Sequence, residues 1–185
     1  MEPQSRLQRA AETLRRGGII AYPTEAVYGL GCDPANEEAL ARLLKLKQRP
    51  AAKGLILIGG EYFQLSPWIE SLPDARRKEI LASWPGPTTW LVPARPHVSR
   101  LLRGEHSTLA VRVTAHPLVQ ALCRAFGGAI VSTSANPAGA EPFRALEPLR
   151  EHFQEQIDYY LSGALGGRDR PSTIRDALTG KVIRA

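Results

Sequence analysis

Apolar positions recur along this chain with a helical period in some stretches and in short continuous or alternating runs in others. Leu7, Ala10, Ala11 and Leu14 fall at i, i+3, i+4 and i+7, one face of a helix, and Gly17-Gly18 supplies its stop. The run from Ile19 to Tyr22 then enters a Pro23-Thr24-Glu25 turn. A second short run, 26–28, leaves that turn for a bend at Gly29-Leu30-Gly31, so the pattern predicts a strand, a polar turn and a second strand. Asn36 is placed to cap a helix with Glu37 and Glu38 in its first turn; Leu40, Leu43 and Leu44 form its apolar stripe, which reaches about Lys47 before Arg49-Pro50 ends it. Leu55 to Ile58 reads as a buried strand. Ser71 followed by Asp74 has capping-box spacing, with Asp in place of Glu or Gln, for a helix reaching about Trp84. A Pro-rich turn feeds a strand from Thr88 to Val92, and Thr108 to Val113 alternates, with Val111 and Val113 on one face and Arg112 on the other.

Pro117 can start a helix whose Val119, Leu122, Cys123 and Phe126 keep helical spacing as far as Gly127-Gly128. A buried strand from Ala129 to Ser132 runs directly into Thr133-Ser134-Ala135-Asn136-Pro137. Leu146 to Phe153 reads as helical despite Pro148, Ile157 to Leu161 as a strand, and the segment from Ser172 to Ala185 as a hairpin closed near Thr179-Gly180. Helices and short strands interleave throughout, without repeat, linker or heptad run, which predicts a layered α/β domain with a mixed sheet. At 185 residues, with 43% hydrophobic residues, one domain with one sizeable core is expected over residues 1–185.

Composition narrows the function classes. With 23% charged residues, 6% aromatics and no low-complexity tract, neither disorder nor an aromatic stacking platform is suggested. The net charge of +6 favours anionic partners such as nucleotides or RNA, although a solvated basic surface gives the same number. The first residues lack the apolar core of a signal peptide, and no later run approaches membrane-spanning length, so a soluble cytoplasmic protein without a membrane partner is expected. Cys32 and Cys123 lie far apart without metal-type spacing, which argues for reduced core thiols rather than a disulfide or zinc site.

Candidate chemistry lies at element ends. Lys47, Arg49 and Lys53 gather at a helix C-terminus and the loop beyond it; cations there complement the helix dipole, or clamp phosphates. Arg112, projecting from a strand, suits a carboxylate or phosphate because a guanidinium presents a planar fork, though a lone arginine is more often a surface group. The hydroxyls and amide of 132–136 follow a buried strand, where sheets with helical crossovers tend to bind ligands, though such residues also build turns. Thr24 and Glu25 sit at strand ends, where a rigid scaffold can hold polar groups against a ligand, although on these residues alone an ordinary core hairpin is the leading reading. The Gly-rich GALGGRDRPST has no G-x-x-x-x-G-K-[ST], which excludes a P-loop, and four scattered histidines form no triad.

Taken together, PTEAVYGLG at 23–31, LKQRP at 46–50, LAVRV at 109–113, STSAN at 132–136 and PST at 171–173 resemble the YrdC/TsaC family over nearly the whole chain. The resemblance implies a single three-layer α/β domain around a strongly twisted mixed β-sheet with a concave basic cleft, in the short form that lacks the extra C-terminal domain of longer relatives. It implies a threonylcarbamoyl-AMP synthase, which joins L-threonine, bicarbonate and ATP, with magnesium, and releases pyrophosphate. The product passes to downstream threonylcarbamoyl-transferase proteins that modify the adenosine beside the anticodon of tRNAs reading codons that begin with adenine. By the same resemblance the catalytic quartet is Lys47, Arg49, Ser134 and Asn136. Lys53, Thr108 and Arg184 join those four around ATP, and Arg112, Ser132 and Ser172 face threonine; Thr24 is a further candidate on that side, as a hydroxyl near Ala26. Two positions depart from the pattern: Ala26 stands where many relatives have threonine, and Ile58 where they have histidine, both expected to approach the amino acid. An RNA-binding module acting on tRNA or double-stranded RNA, and a nucleotide-dependent transferase with another acceptor, are the competing readings.

Overall fold

The computed structural model describes residues 3–137 and 139–185. Helix α1 (Pro3–Arg15) ends where Gly17 takes φ +80°, a backbone conformation that glycine adopts without a side-chain penalty. Strands β1 (Ile20–Pro23) and β2 (Tyr28–Gly31) form the expected antiparallel hairpin, with Ile20 opposite Gly31 and Pro23 opposite Tyr28. The expected bend at 29–31 is instead the body of β2. Its glycines serve close approach rather than turning, since a Cβ on Gly31 would collide with the carbonyl oxygen of Val131 in the next strand. Helix α2 (Glu37–Leu46) is capped as its sequence indicates: Asn36 Oδ1 accepts from Ala39 N–H at 2.9 Å.

Beyond α2 come a 3-10 turn (Ala51–Lys53), strand β3 (Ile56–Gly59), the one-turn helix α3 (Tyr62–Leu65) and α4 (Asp74–Ala82). The capping box at Ser71 does not form. Pro73 is the N-cap, with no side-chain cap bond, and Asp74 opens the helix as a first-turn acid. Strand β4 (Thr88–Pro93), one-turn α5 (Arg100–Arg103), β5 (Thr108–Val113), α6 (Pro117–Phe126) and β6 (Ile130–Ser134) follow. Thr133 and Ser134 are therefore the last residues of a strand rather than of a loop. Helix α7 (Leu146–Phe153) accommodates Pro148 because the first turn has no intrahelical N–H bond to lose. A 3-10 turn (Gln154–Gln156), β7 (Tyr159–Tyr160), β8 (Thr173–Asp176) and β9 (Val182–Arg184) complete the chain. Strand β7 is two residues long, and Ile157 and Leu161, expected inside it, flank it as buried anchors.

The nine strands form one mixed sheet in the order β7-β1-β2-β6-β3-β5-β4-β8-β9. Pairs β1–β7, β3–β5 and β4–β8 are parallel and the rest antiparallel. Alternation along the strands divides the core into two. Ile20, Tyr22, Ile58 and Ile130 pack with Ala10 and Leu14 of α1 and Val119 and Leu122 of α6 on one face. Ile19, Ala21, Leu57 and Val131 pack with the leucines of α2, Leu102 of α5 and Leu149 of α7 on the other. Helices thus cover both faces, giving three layers. Strand β6 lies between β2 and β3, with Gly29 opposite Ser134 and Ser132 opposite Ile56, so the hairpin turn, the end of β6 and the start of β3 share one end of the sheet.

Candidate active site

At that end a cleft of about 230 Å³ opens between the Thr24–Gly29 hairpin turn, the end of β6, Arg112 of β5 and the 168–172 segment. Its lining carries five arginines, Arg49, Arg112, Arg168, Arg170 and Arg184, against one carboxylate, Glu25. Cations and hydroxyls on a wall with few acids suit anionic ligands.

The two motifs singled out at 47–49 and 134–136 come together here. Lys47, just beyond the last turn of α2, turns inward and is 5% exposed. Its ammonium donates to the carbonyl oxygen of Ser134, to Asn136 O at 2.8 Å and to Asn136 Oδ1 at 2.6 Å. Ser134 Oγ donates to the same Oδ1 at 2.7 Å, and Asn136 Nδ2 donates to Ala140 O at 2.7 Å, closing the segment into a rigid corner. Burial and the neighbouring Arg49 guanidinium pull the Lys47 pKa down to about 8, against the three oxygens that favour its charged form. Lys47 is thus a tether of the 134–136 corner, not an open cation on the cleft wall. Arg49 does line the cleft, with Nε donating to Gly54 O at 2.9 Å, and burial together with Arg184 lowers its pKa.

Across the cleft Arg112 Nη1 pairs with Glu25 Oε1 at 2.8 Å, both side chains about 10% exposed. The same oxygen accepts from Thr114 Oγ1 at 2.7 Å and Ala115 N at 3.2 Å. Burial alone would raise the Glu25 pKa; Arg112 and the Thr114 hydroxyl outweigh it and hold the carboxyl below its ordinary value. The turn is also gripped from outside, since Gly166 N donates to Thr24 O at 3.0 Å and Arg168 N to Glu25 O at 2.9 Å.

Of the remaining expected residues, Thr24, Ser132, Ser172 and Arg184 line the cleft. Thr24 Oγ1 donates within its own turn to Val27 O at 2.7 Å, Ser172 shares a bond with Thr89 at 2.8 Å, and Arg184 Nη2 donates to Ser172 O at 3.0 Å. Thr108 opens β5 and Lys53 is exposed on the 3-10 turn, and neither belongs to the cleft lining. Ala26 lines the cleft; Ile58 is fully buried with Ile20, Tyr22 and Val119, opposite Arg112 in register and so on the same face of the sheet as that arginine, but it is outside the cleft lining. Sequence reasoning assigned no role to Arg168, Arg170, Thr114 or the Glu25 pair. Arg168 and Arg170 were signalled by cations in a Gly-rich loop abutting PST, and Thr114 by sitting two residues from Arg112, on the same side of an extended chain.

Among the described residues no three His, Cys, Asp or Glu side chains gather as a metal cluster. Glu25, the one carboxylate of the lining, is already bonded to Arg112, Thr114 and Ala115, so these residues do not compose a magnesium site of their own.

Fold and site define an α/β protein with an arginine-lined cleft at one end of a mixed sheet. The chain belongs to the Sua5/YciO/YrdC family, described as "Telomere recombination", which it matches over residues 12–185. It is 53% identical to a threonylcarbamoyl-AMP synthase of Hahella chejuensis over 178 residues, 96% of this chain and 97% of that one. Identity to a threonylcarbamoyl-AMP synthase of Chromohalobacter salexigens is 55% over 183 residues, 99% of this chain and 98% of that one. The crystal structure of P. abyssi Sua5 complexed with L-threonine matches with a TM-score of 0.87 and 31% identity, covering 94% of this chain and 51% of that chain. This chain therefore spans about half the length of that Sua5 chain.

Proposed function

We propose that this chain makes L-threonylcarbamoyladenylate from L-threonine, bicarbonate and ATP. The observation that carries the reading is the joining, on one small cleft, of Arg49 and Ser134, the latter bonded to Asn136 behind it, with the guanidinium of Arg112. Relatives 53% and 55% identical that carry the name of this enzyme support it.

The chemistry needs no side-chain nucleophile. Threonine's amine combines with bicarbonate, losing water, to give a carbamate. A carbamate oxygen attacks the α-phosphorus of ATP, the bond to the bridging oxygen breaks, and its electron pair leaves with pyrophosphate. Two anions must meet, so the protein's task is positioning and charge compensation. Arg49 and Arg184 face the triphosphate, Ser134 and Asn136 supply directional groups, and Lys47 acts through them as a positioning residue. Arg112 receives the threonine carboxylate, with Thr24, Ser132 and Ser172 around the amino acid. Lys53 and Thr108 lie farther out, toward the nucleotide. Magnesium accompanies the triphosphate as part of the substrate.

The product would be consumed, in the cytoplasm, by threonylcarbamoyl-transferase proteins that modify the adenosine beside the anticodon of tRNAs reading codons that begin with adenine. Exposed Arg168, Arg170 and Arg184 also suit an RNA backbone. Among the described residues no helix is long and apolar enough to cross a membrane.

The deciding assay follows pyrophosphate release from ATP and magnesium with threonine and bicarbonate each omitted in turn. Release is expected only with both present. Serine should work less well, because one missing methyl contact costs about 1 kcal/mol or somewhat more. Release that ignores omission of threonine overturns the reading; RNA binding with a steep salt dependence and no turnover would favour a binding module instead.

A further inference from the structure

Glu25 is a buried carboxylate in the cleft wall to which the proposed chemistry gives no part. It is 8% exposed, its Oε1 collects three donors, and its Oε2 is buried with no donor among the described residues. A pair like this is a poor device for stability, since hydrophobic replacements of buried ion pairs are often neutral or stabilising. It is a good device for orientation. Arg112 and Thr114, two residues apart, both reach Glu25 from β5 and its immediate extension, and Ala115 N adds a backbone donor, so the carboxylate is fixed from the strand that carries the arginine. Thr114 is itself fixed, its Oγ1 accepting from His116 N at 3.0 Å, while His116 Nε2 meets Ala164 O at 3.0 Å. The ion pair holds one corner of the guanidinium and so restricts the directions in which its remaining N–H groups face.

We infer that Glu25 is a positioning residue for Arg112, aiming its guanidinium at the carboxylate of the α-amino-acid substrate. The inference rests on the reading that Arg112 binds that carboxylate. Glu25 and the substrate share one guanidinium, so opposite outcomes are physically distinct. If Glu25 only competes with the substrate for Arg112, its neutralisation strengthens threonine binding. If it aims Arg112, neutralisation weakens it.

The test uses the full chain and the variants Glu25→Gln, Glu25→Ala and Thr114→Val. Pyrophosphate release is measured with threonine varied and then with ATP varied, alongside calorimetric titration of L-threonine and thermal melts. The threonine KM should rise about tenfold or more in Glu25→Ala and less in Glu25→Gln, which keeps an acceptor for Thr114 and Ala115. Thr114→Val should raise it several-fold, and the ATP KM should stay within about twofold in all three. A lower threonine KM in Glu25→Gln overturns the inference, and so does a parallel rise in both KM values with a lowered melting temperature. Should Glu25→Ala fail to fold, Glu25→Gln and Thr114→Val decide the matter by the same criteria. A parent chain that binds threonine without turning it over removes the proposed function alone, because the calorimetric difference between parent and variants still decides the role of Glu25. A parent that binds no threonine overturns both.

Discussion

Three oxygens surround the Lys47 ammonium, and a neutral amine has only two N–H groups to offer them. With its pKa near 8, Lys47 should lose its full set of bonds in mildly alkaline solution, loosening the corner that presents Ser134 and Asn136. Stability responds with the opposite sign. The folded pKa lies below the ordinary 10.5, so between about 8 and 10.5 the unfolded chain binds the proton more strongly, and the contribution of Lys47 to stability rises with pH across that window. Turnover is expected to fall above about pH 8 while urea melts at pH 9.5 gain relative to pH 7.5, and Lys47→Met should flatten that gain. Turnover that holds level to pH 9.5 in the parent would mean that the corner does not need its tether. The sequence announced a cation at a helix end, and such a cation ordinarily points to solvent. Only the seating of β6 beside β2 and β3 creates the oxygen cage that turns Lys47 inward, and no local pattern carries that information.

Among the elements, α2 was legible down to its cap because every local signal agreed: Asn36, the first-turn acids and the leucine stripe. Asn36→Ala should cost about 1 kcal/mol of unfolding free energy, read from denaturant melts, while turnover per folded molecule stays unchanged. A larger loss, accompanied by lost turnover, would indicate that the cap also sets the position of the Lys47–Arg49 segment at the other end of α2. Helices α1 and α6 were equally readable from period and stop glycines. One-turn α3 and α5 were not, since four residues contain no period to detect. The misplaced box at Ser71 followed from matching spacing alone, whereas Pro73 fixes where the backbone can enter the helix. Glycines in β2 read as a bend because glycine favours turns. Their role as the gap through which β2 approaches β6 depends on a strand about a hundred positions away in the sequence.

For the whole molecule, the order of motifs announced which segments would meet, and the sheet order then brings residues from Thr24 to Arg184 around one cleft. What stayed hidden was the pairing among them, above all Glu25 with Arg112, because two charges distant in sequence declare no partner. The walls also differ in construction. Arg112 stands on β5, between β3 and β4 and with its neighbours deep in the core, whereas Arg184 stands on β9, three exposed residues at the sheet's edge with a register shift against β8. An edge strand that buries so little can open without disturbing the rest of the fold, so its backbone amides should exchange with deuterated water far faster than those of β5. If Arg184 holds the nucleotide as proposed, ATP should slow exchange at 182–184 while threonine alone leaves it untouched. The outermost strand would then be stitched to the sheet by the very molecule it helps to hold, leaving the nucleotide side as the part of the protein that substrate finishes folding.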